Sequence, residues 1–212
     1  LFRSRQIWFA QHAKLYLPLK PGTDNWLLNA MAHVILAEGL ENKEFIKTRT
    51  EGFEDLKAFV KDITPEKAAE FTGVPAEDIR QAARLYAKSE KSAIYYTLGI
   101  TEHTCGTDNV RTIANLALLT GHVGKPSTGV NPIRGQNNVQ GATDMCTPDK
   151  LPGYQLFSDQ KAVEKFENAW GVTLNKKPGN TSPTMFERMH KGEFKALYVI
   201  GEDPIMSEPN QD

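Results

Sequence analysis

The sequence predicts an α/β chain in which short apolar strands alternate with amphipathic helices. Three observations carry this. Apolar runs at 15–19 (LYLPL), 92–98 (SAIYYTL) and 195–200 (KALYVI) have strand length and are bounded by turn or polar residues. Helix-period stretches with start and stop residues fill the intervals. The second and third runs pass straight into Gly99 and Gly201, followed by carboxylate and hydroxyl side chains. Ligands of open α/β sheets gather at such carboxyl ends of strands.

Pro21 and Gly22 end the first run. Thr23 or Asp24 can cap a helix to about Glu38, closed by Gly39. Leu28, Met31, Ala32 and Ile35 follow the i, i+3, i+4, i+7 rule and predict a buried face. His33 lies beside that stripe. No second His, Cys or carboxylate stands at metal spacing from it, so it reads as a packing or solvent-edge residue.

Residues 43–90 read as short covering helices. Thr64-Pro65-Glu66 opens one and Gly73 stops it. Pro75 opens the next, whose inner face is Ile79, Ala82, Ala83 and Tyr86. After the strand at 92–98 a polar loop is expected from Gly99 to Gly106. A helix capped by Thr107 or Asp108 then runs to Thr120 and stops at Gly121. Its second half is apolar almost all round, which predicts burial on several sides. Further on, Ser158 or Asp159 caps a helix ended by Gly171, 172–181 is a polar loop, and Ser182-Pro183 starts a helix ended by Gly192.

Bulk properties exclude several functions. A length of 212 residues suffices for one large domain or two modest ones. With a net charge of −1 the chain lacks a broad grip on nucleic acid or acidic lipid. No apolar run approaches a membrane span and no signal-peptide pattern is present. The two cysteines, Cys105 and Cys146, suit a reducing compartment, hence a cytoplasmic location. A single disulfide between them is possible but not demanded. The opening Leu1 predicts a piece of a longer polypeptide.

The character changes at 124–141. Four glycines, two prolines and three asparagines crowd into these 18 positions, which predicts a long functional loop. Gly124-Lys125-Pro126-Ser127 is not a phosphate loop, because the earlier glycine is missing and proline fills the hydroxyl position. At the two strand ends, Glu102 and Asp203 are candidate acceptors for a guanine edge, with loop or helix-start roles as the plain alternative.

The run GVNPIRGQNNVQGA (129–142) resembles the signature of formate dehydrogenase catalytic subunits in the molybdopterin oxidoreductase superfamily. LALLTGHVGKPSTG (116–129), TLGITEHT (97–104), LPGYQ (151–155), PGTDNWLLNAMAHVI (21–35), RTEGFEDL (49–56) and IGEDPIMSE (200–208) are similar to the same family, in family order. The resemblance implies an incomplete set of three-layer αβα sheets. Residues 1–136 would close one pterin-dinucleotide domain and 137–212 would begin a second, pseudo-symmetric one.

By the same resemblance, the complete subunit oxidises formate to CO2, or runs the reverse. Its cofactor would be bis-molybdopterin guanine dinucleotide with Mo or W. A [4Fe–4S] cluster, ligated outside this chain, passes electrons to iron-sulfur or flavin subunits. Arg134 matches the active-site arginine, and its two parallel donors suit a carboxylate. Gln136 matches a position near the pterin. Leu98 and Glu102 match one dinucleotide arm, where the family often has Met and Gln; Asp203 and Ser207 match the other. Asn137, Asn138 and Gln140 would hold the loop and donate to pterin or phosphate. Departures are Arg3-Ser4-Arg5 in place of Asp-Pro-Arg, Thr143 in place of Cys and Cys146 in place of Gly. The alternatives are another oxo-transfer enzyme such as nitrate reductase, and a non-catalytic scaffold subunit of the same fold. Those nitrate-type relatives usually lack the arginine at this position.

Overall fold

The computed structural model describes residues 5–145, 147–175 and 177–207. Two compact units divide the chain, Leu1–Gly135 and Gln136–Asp212.

The first unit is built round α1 (Asp24–Ala37). Leu27, Leu28, Ala30, Met31, Ala32, Val34 and Ile35 are all buried, so burial extends well beyond the one stripe expected. A helix apolar on most sides needs neighbours on most sides. Those neighbours are α3 (Phe53–Val60), α4 (Pro65–Thr72), α5 (Ala76–Lys88) and α7 (Gly106–Thr120), with α2 (Lys43–Arg49) against α7. The expected punctuation holds at α4, where Lys67 N donates to Thr64 Oγ1 and Gly73 adopts a left-handed φ of 76°. Thr23 differs from expectation: its hydroxyl donates back to the Lys20 carbonyl (2.6 Å) and does not cap α1. His33 is a packing residue, its Nδ1 3.0 Å from the Val60 carbonyl oxygen.

Strand β1 (Ala93–Tyr96) pairs in parallel with β2 (Gly129–Pro132), from Ala93 opposite Gly129 to Tyr96 opposite Pro132. The connection runs through α6 (Leu98–Thr101) and α7, a βαβ crossover. Ile94, Tyr96 and Val130 pack on the main core, whereas Tyr95 points to the other face and is 68% exposed. Part of the stretch expected to be loop, 124–141, is thus strand. Its Gly and Pro content hid an extended segment that only its pairing with β1 stabilises.

The second unit contains α8 (Val139–Met145), an antiparallel pair β3 (Lys150–Leu151) and β4 (Gln155–Leu156), α9 (Gln160–Trp170), α10 (Ser182–His190) and α11 (Pro204–Ser207). Leu151, Ala162 and Val163 form its small core, with Phe157, Phe166 and Leu174 against them. Asp159 caps α9 as expected, accepting from Lys161 N at 3.0 Å.

Two expected strands do not form. Residues 15–19 carry only an isolated bridge at Leu17, and 195–200 are irregular, with Tyr198 88% exposed. A strand exists only by pairing, and among the described residues neither run is paired into a ladder.

A buried histidine is expected to give the first unit a pH-dependent stability. His122 is buried, with Nε2 3.2 Å from the Tyr86 carbonyl oxygen and Nδ1 lacking a partner among the described residues. Burial depresses its pKa; the Tyr86 carbonyl offsets this in part and Lys125 adds to the depression. The folded state therefore holds the neutral ring, and the unfolded chain takes up a proton first as pH falls below about 6.5. Stability is full above that value and declines as pH drops through the lowered folded pKa. The carboxylates of Glu38 and Glu66, held low by Arg84 and Arg80, keep their contributions until more acidic pH. Urea midpoints compared at pH 7.5 and 5.5 should show the loss, and His122→Asn should abolish most of the difference.

Candidate functional site

Because β1 and β2 are parallel and end in register, the chain leaves both at the same edge of the first unit. Ile133 N donates to the Tyr96 carbonyl oxygen (2.7 Å), one step past the paired residues. Arg134 follows at once. The structure therefore brings Arg134 to the same sheet edge as the turn carrying Leu98 and Glu102. Arg134 is exposed, and its guanidinium makes no ion pair or hydrogen bond among the described residues. An unneutralised cation at the carboxyl end of a strand can receive an anion without first breaking a bond.

Leu98 and Glu102 are the first helical residue and the C-cap of α6, four positions apart on one turn. Sequence reading places loop here; the structure folds it into helix, and α7 begins at Gly106 with no side-chain cap from Thr107 or Asp108. Leu98 is 51% exposed, and the Glu102 carboxylate has no partner among the described residues. His103 turns back, its Nε2 2.9 Å from the Gly99 carbonyl oxygen, and the Cys105 thiol donates to Asn109 Oδ1 at 3.8 Å. The N-terminus of α1 reaches this edge as well. Half-burial pushes the Asp24 carboxyl up from the ordinary carboxylate range, while its own backbone amide and His103 pull it back. Thr112 Oγ1 donates to Asn25 Oδ1 at 2.9 Å, tying α7 to α1.

In the second unit, Gln136 and Asn137 lie exposed in the turn before α8. Asn138 takes a left-handed φ of 55°, and Gly141 leaves room for its side chain. A network missed in the sequence holds this turn's helix: Tyr154 Oη donates to Asp144 Oδ1 (2.7 Å), and Gln140 Nε2 bonds both groups. The phenol and amide hold the Asp144 carboxyl below its usual range. Asp203 immediately precedes α11 and Ser207 ends it; Asp203 Oδ1 accepts from Met206 N at 3.3 Å and Ser207 N donates to the Asp203 carbonyl. Asp203 thus has the helix-start role weighed as the plain reading. Cys146, Arg3 and Ser4 lie outside the described residues.

Among the described residues no three His, Cys, Asp or Glu side chains gather as a metal site, and no helix is long and apolar enough to cross a membrane.

Residues 3–212 match the family described as molybdopterin oxidoreductase. The chain belongs to that family. Relatives of this molybdopterin oxidoreductase chain include the F420-dependent formate dehydrogenase 2 subunit alpha of Methanococcus maripaludis, 48% identical over 94% of this chain and 29% of the relative. Formate dehydrogenase H of Escherichia coli is 47% identical over 96% of this chain and 29% of its own length. Acetylene hydratase from Pelobacter acetylenicus is similar in structure, with a TM-score of 0.58 and 31% identity over 59% of this chain and 17% of that one. The chain thus spans under a third of the curated relatives it matches. The small sheets observed are those of an incomplete α/β molybdopterin oxidoreductase fold.

Proposed function

We propose that this chain is the substrate-side part of a formate dehydrogenase catalytic subunit, with Arg134 as the residue that binds formate. The observation that carries the reading is the guanidinium just past β2, unpaired among the described residues and inside the run RGQNNVQG. Relatives named formate dehydrogenase, 47–48% identical, favour formate over nitrate or a scaffold role.

The donor set suits a guanine-dinucleotide pterin. The Glu102 carboxylate, without a partner among the described residues, can accept from a guanine edge, and Leu98 offers apolar cover beside it. Gln136 and Asn137 present exposed amides for pterin or phosphate oxygens. Asp203 keeps one carboxylate oxygen uncommitted among the described residues, next to Ser207. Residues 1–136 would belong to one dinucleotide domain and 137–212 to the second.

When bound, the pterin-held Mo or W supplies the two-electron acceptor, and a [4Fe–4S] cluster carries the electrons onward to iron-sulfur or flavin subunits. Arg134 holds both formate oxygens in two parallel N–H···O bonds and so fixes the direction of the C–H bond. It remains charged at any working pH and needs no proton to do this. The complete subunit would act in the cytoplasm.

The test is the full-length subunit, purified anaerobically. Mo or W, guanine nucleotide and formate-driven dye reduction are expected together. A metal-loaded subunit that leaves formate untouched overturns the reading.

A further inference from the structure

A four-residue helix cannot hold itself together, since nucleation costs more than one turn returns. Yet α6 is the element that presents Leu98 and Glu102. Its shape comes from outside ties to its carbonyls, which a longer helix would satisfy internally. Beyond the helix's own bond from Glu102 N to the Leu98 carbonyl, the Gly99 carbonyl accepts from His103 Nε2. The Ile100 carbonyl accepts from Asn109 Nδ2 at 2.8 Å, across nine residues.

Asn109 is unusual in three respects. It is a poor helix former placed inside α7. It is completely buried. Both ends of its amide face the turn, since Oδ1 also accepts from Cys105 Sγ at 3.8 Å. A second feature presses the same turn onto α7: a Cβ at Gly106 would stand 2.0 Å from the Thr101 carbonyl oxygen. Only glycine permits that approach.

We infer that Asn109 is a positioning residue, bolting the 98–105 turn to α7 so that Glu102 and Leu98 are preset for the dinucleotide arm. The inference rests on the assignment of that turn to the cofactor. Asn109 touches no ligand itself. It removes the freedom of a turn that would otherwise have to be ordered at binding.

The experiment uses the full-length subunit carrying Asn109→Ala, with His103→Ala as a second variant that removes the partly exposed tie and opens no cavity in the core. Hydrogen exchange is read on peptides covering 97–105 and 112–120, and guanine nucleotide released by acid is counted per subunit. In Asn109→Ala, exchange across 97–105 is expected to speed up about tenfold while 112–120 changes little. Retained nucleotide is expected to fall at least about twofold, with KM for formate on the loaded fraction unchanged. His103→Ala should shift both readouts the same way by a smaller factor. Unchanged exchange at 97–105, equal loosening of both peptides, or a loosened turn with full nucleotide each overturns the positioning role. Glu102→Ala separates the two ideas. Full nucleotide in that variant overturns the assignment of the turn to the dinucleotide, and the exchange data still judge the bolt.

Discussion

Replacing Arg134 by Ala in the full-length subunit is expected to lower formate turnover by about 10²–10³-fold, the usual loss when one charged contact to the reacting group is removed. The side chain has no other employment in the structure: it is exposed, unpaired among the described residues and outside the core. The substitution should therefore leave the folded chain intact, with an unchanged urea midpoint. Arg134→Lys keeps the charge but loses the parallel pair of donors, so it should recover only part of the rate and raise KM. Steady-state dye reduction with formate checks this. An Ala variant within threefold of the parent removes Arg134 from the mechanism.

Leu116→Ala is expected to destabilise the first unit by about 2–5 kcal/mol, the range for emptying a closed core position. Leu116 is 1% exposed and lies on α7, which packs against α1, α2, α6 and β2. These neighbouring elements leave little room for collapse around the missing atoms. The loss therefore combines transfer free energy with a persisting cavity. Leu118, two residues on, is only part-buried and borders the open groove beside Phe53 and Phe59. Leu118→Ala should cost well under half as much. Urea unfolding at pH 7.5 measures both, as midpoint shifts at constant slope. Equal losses would mean that α7 is not enclosed as described.

Helix existence was legible because its causes are local. Thr64 with Pro65, Asp159 before α9, and the glycines at 73, 121 and 171 act within a few residues of themselves. The proposed site came from elsewhere, since Arg134 is assigned by the resemblance of 129–142 to formate dehydrogenases and not by any local rule. The strands were legible only in part. KALYVI and LYLPL have strand composition, but composition cannot supply a neighbour. GVNP looks like loop and is strand, because Ala93–Tyr96 offers it a ladder.

The sequence by itself therefore determined most of the helices, the glycines that end them, the apolar set that becomes the core and the family to which the chain belongs, but not α6 or the start of α8, both read as loop. Only the tertiary structure decided that the turn at 98–102 and Arg134 leave the sheet at one edge, and that a buried amide at 109 holds that turn. Periodicity and capping are properties of neighbours along the chain. Strand register and a hydrogen bond across nine residues are properties of neighbours in space, which exist only once the core has closed.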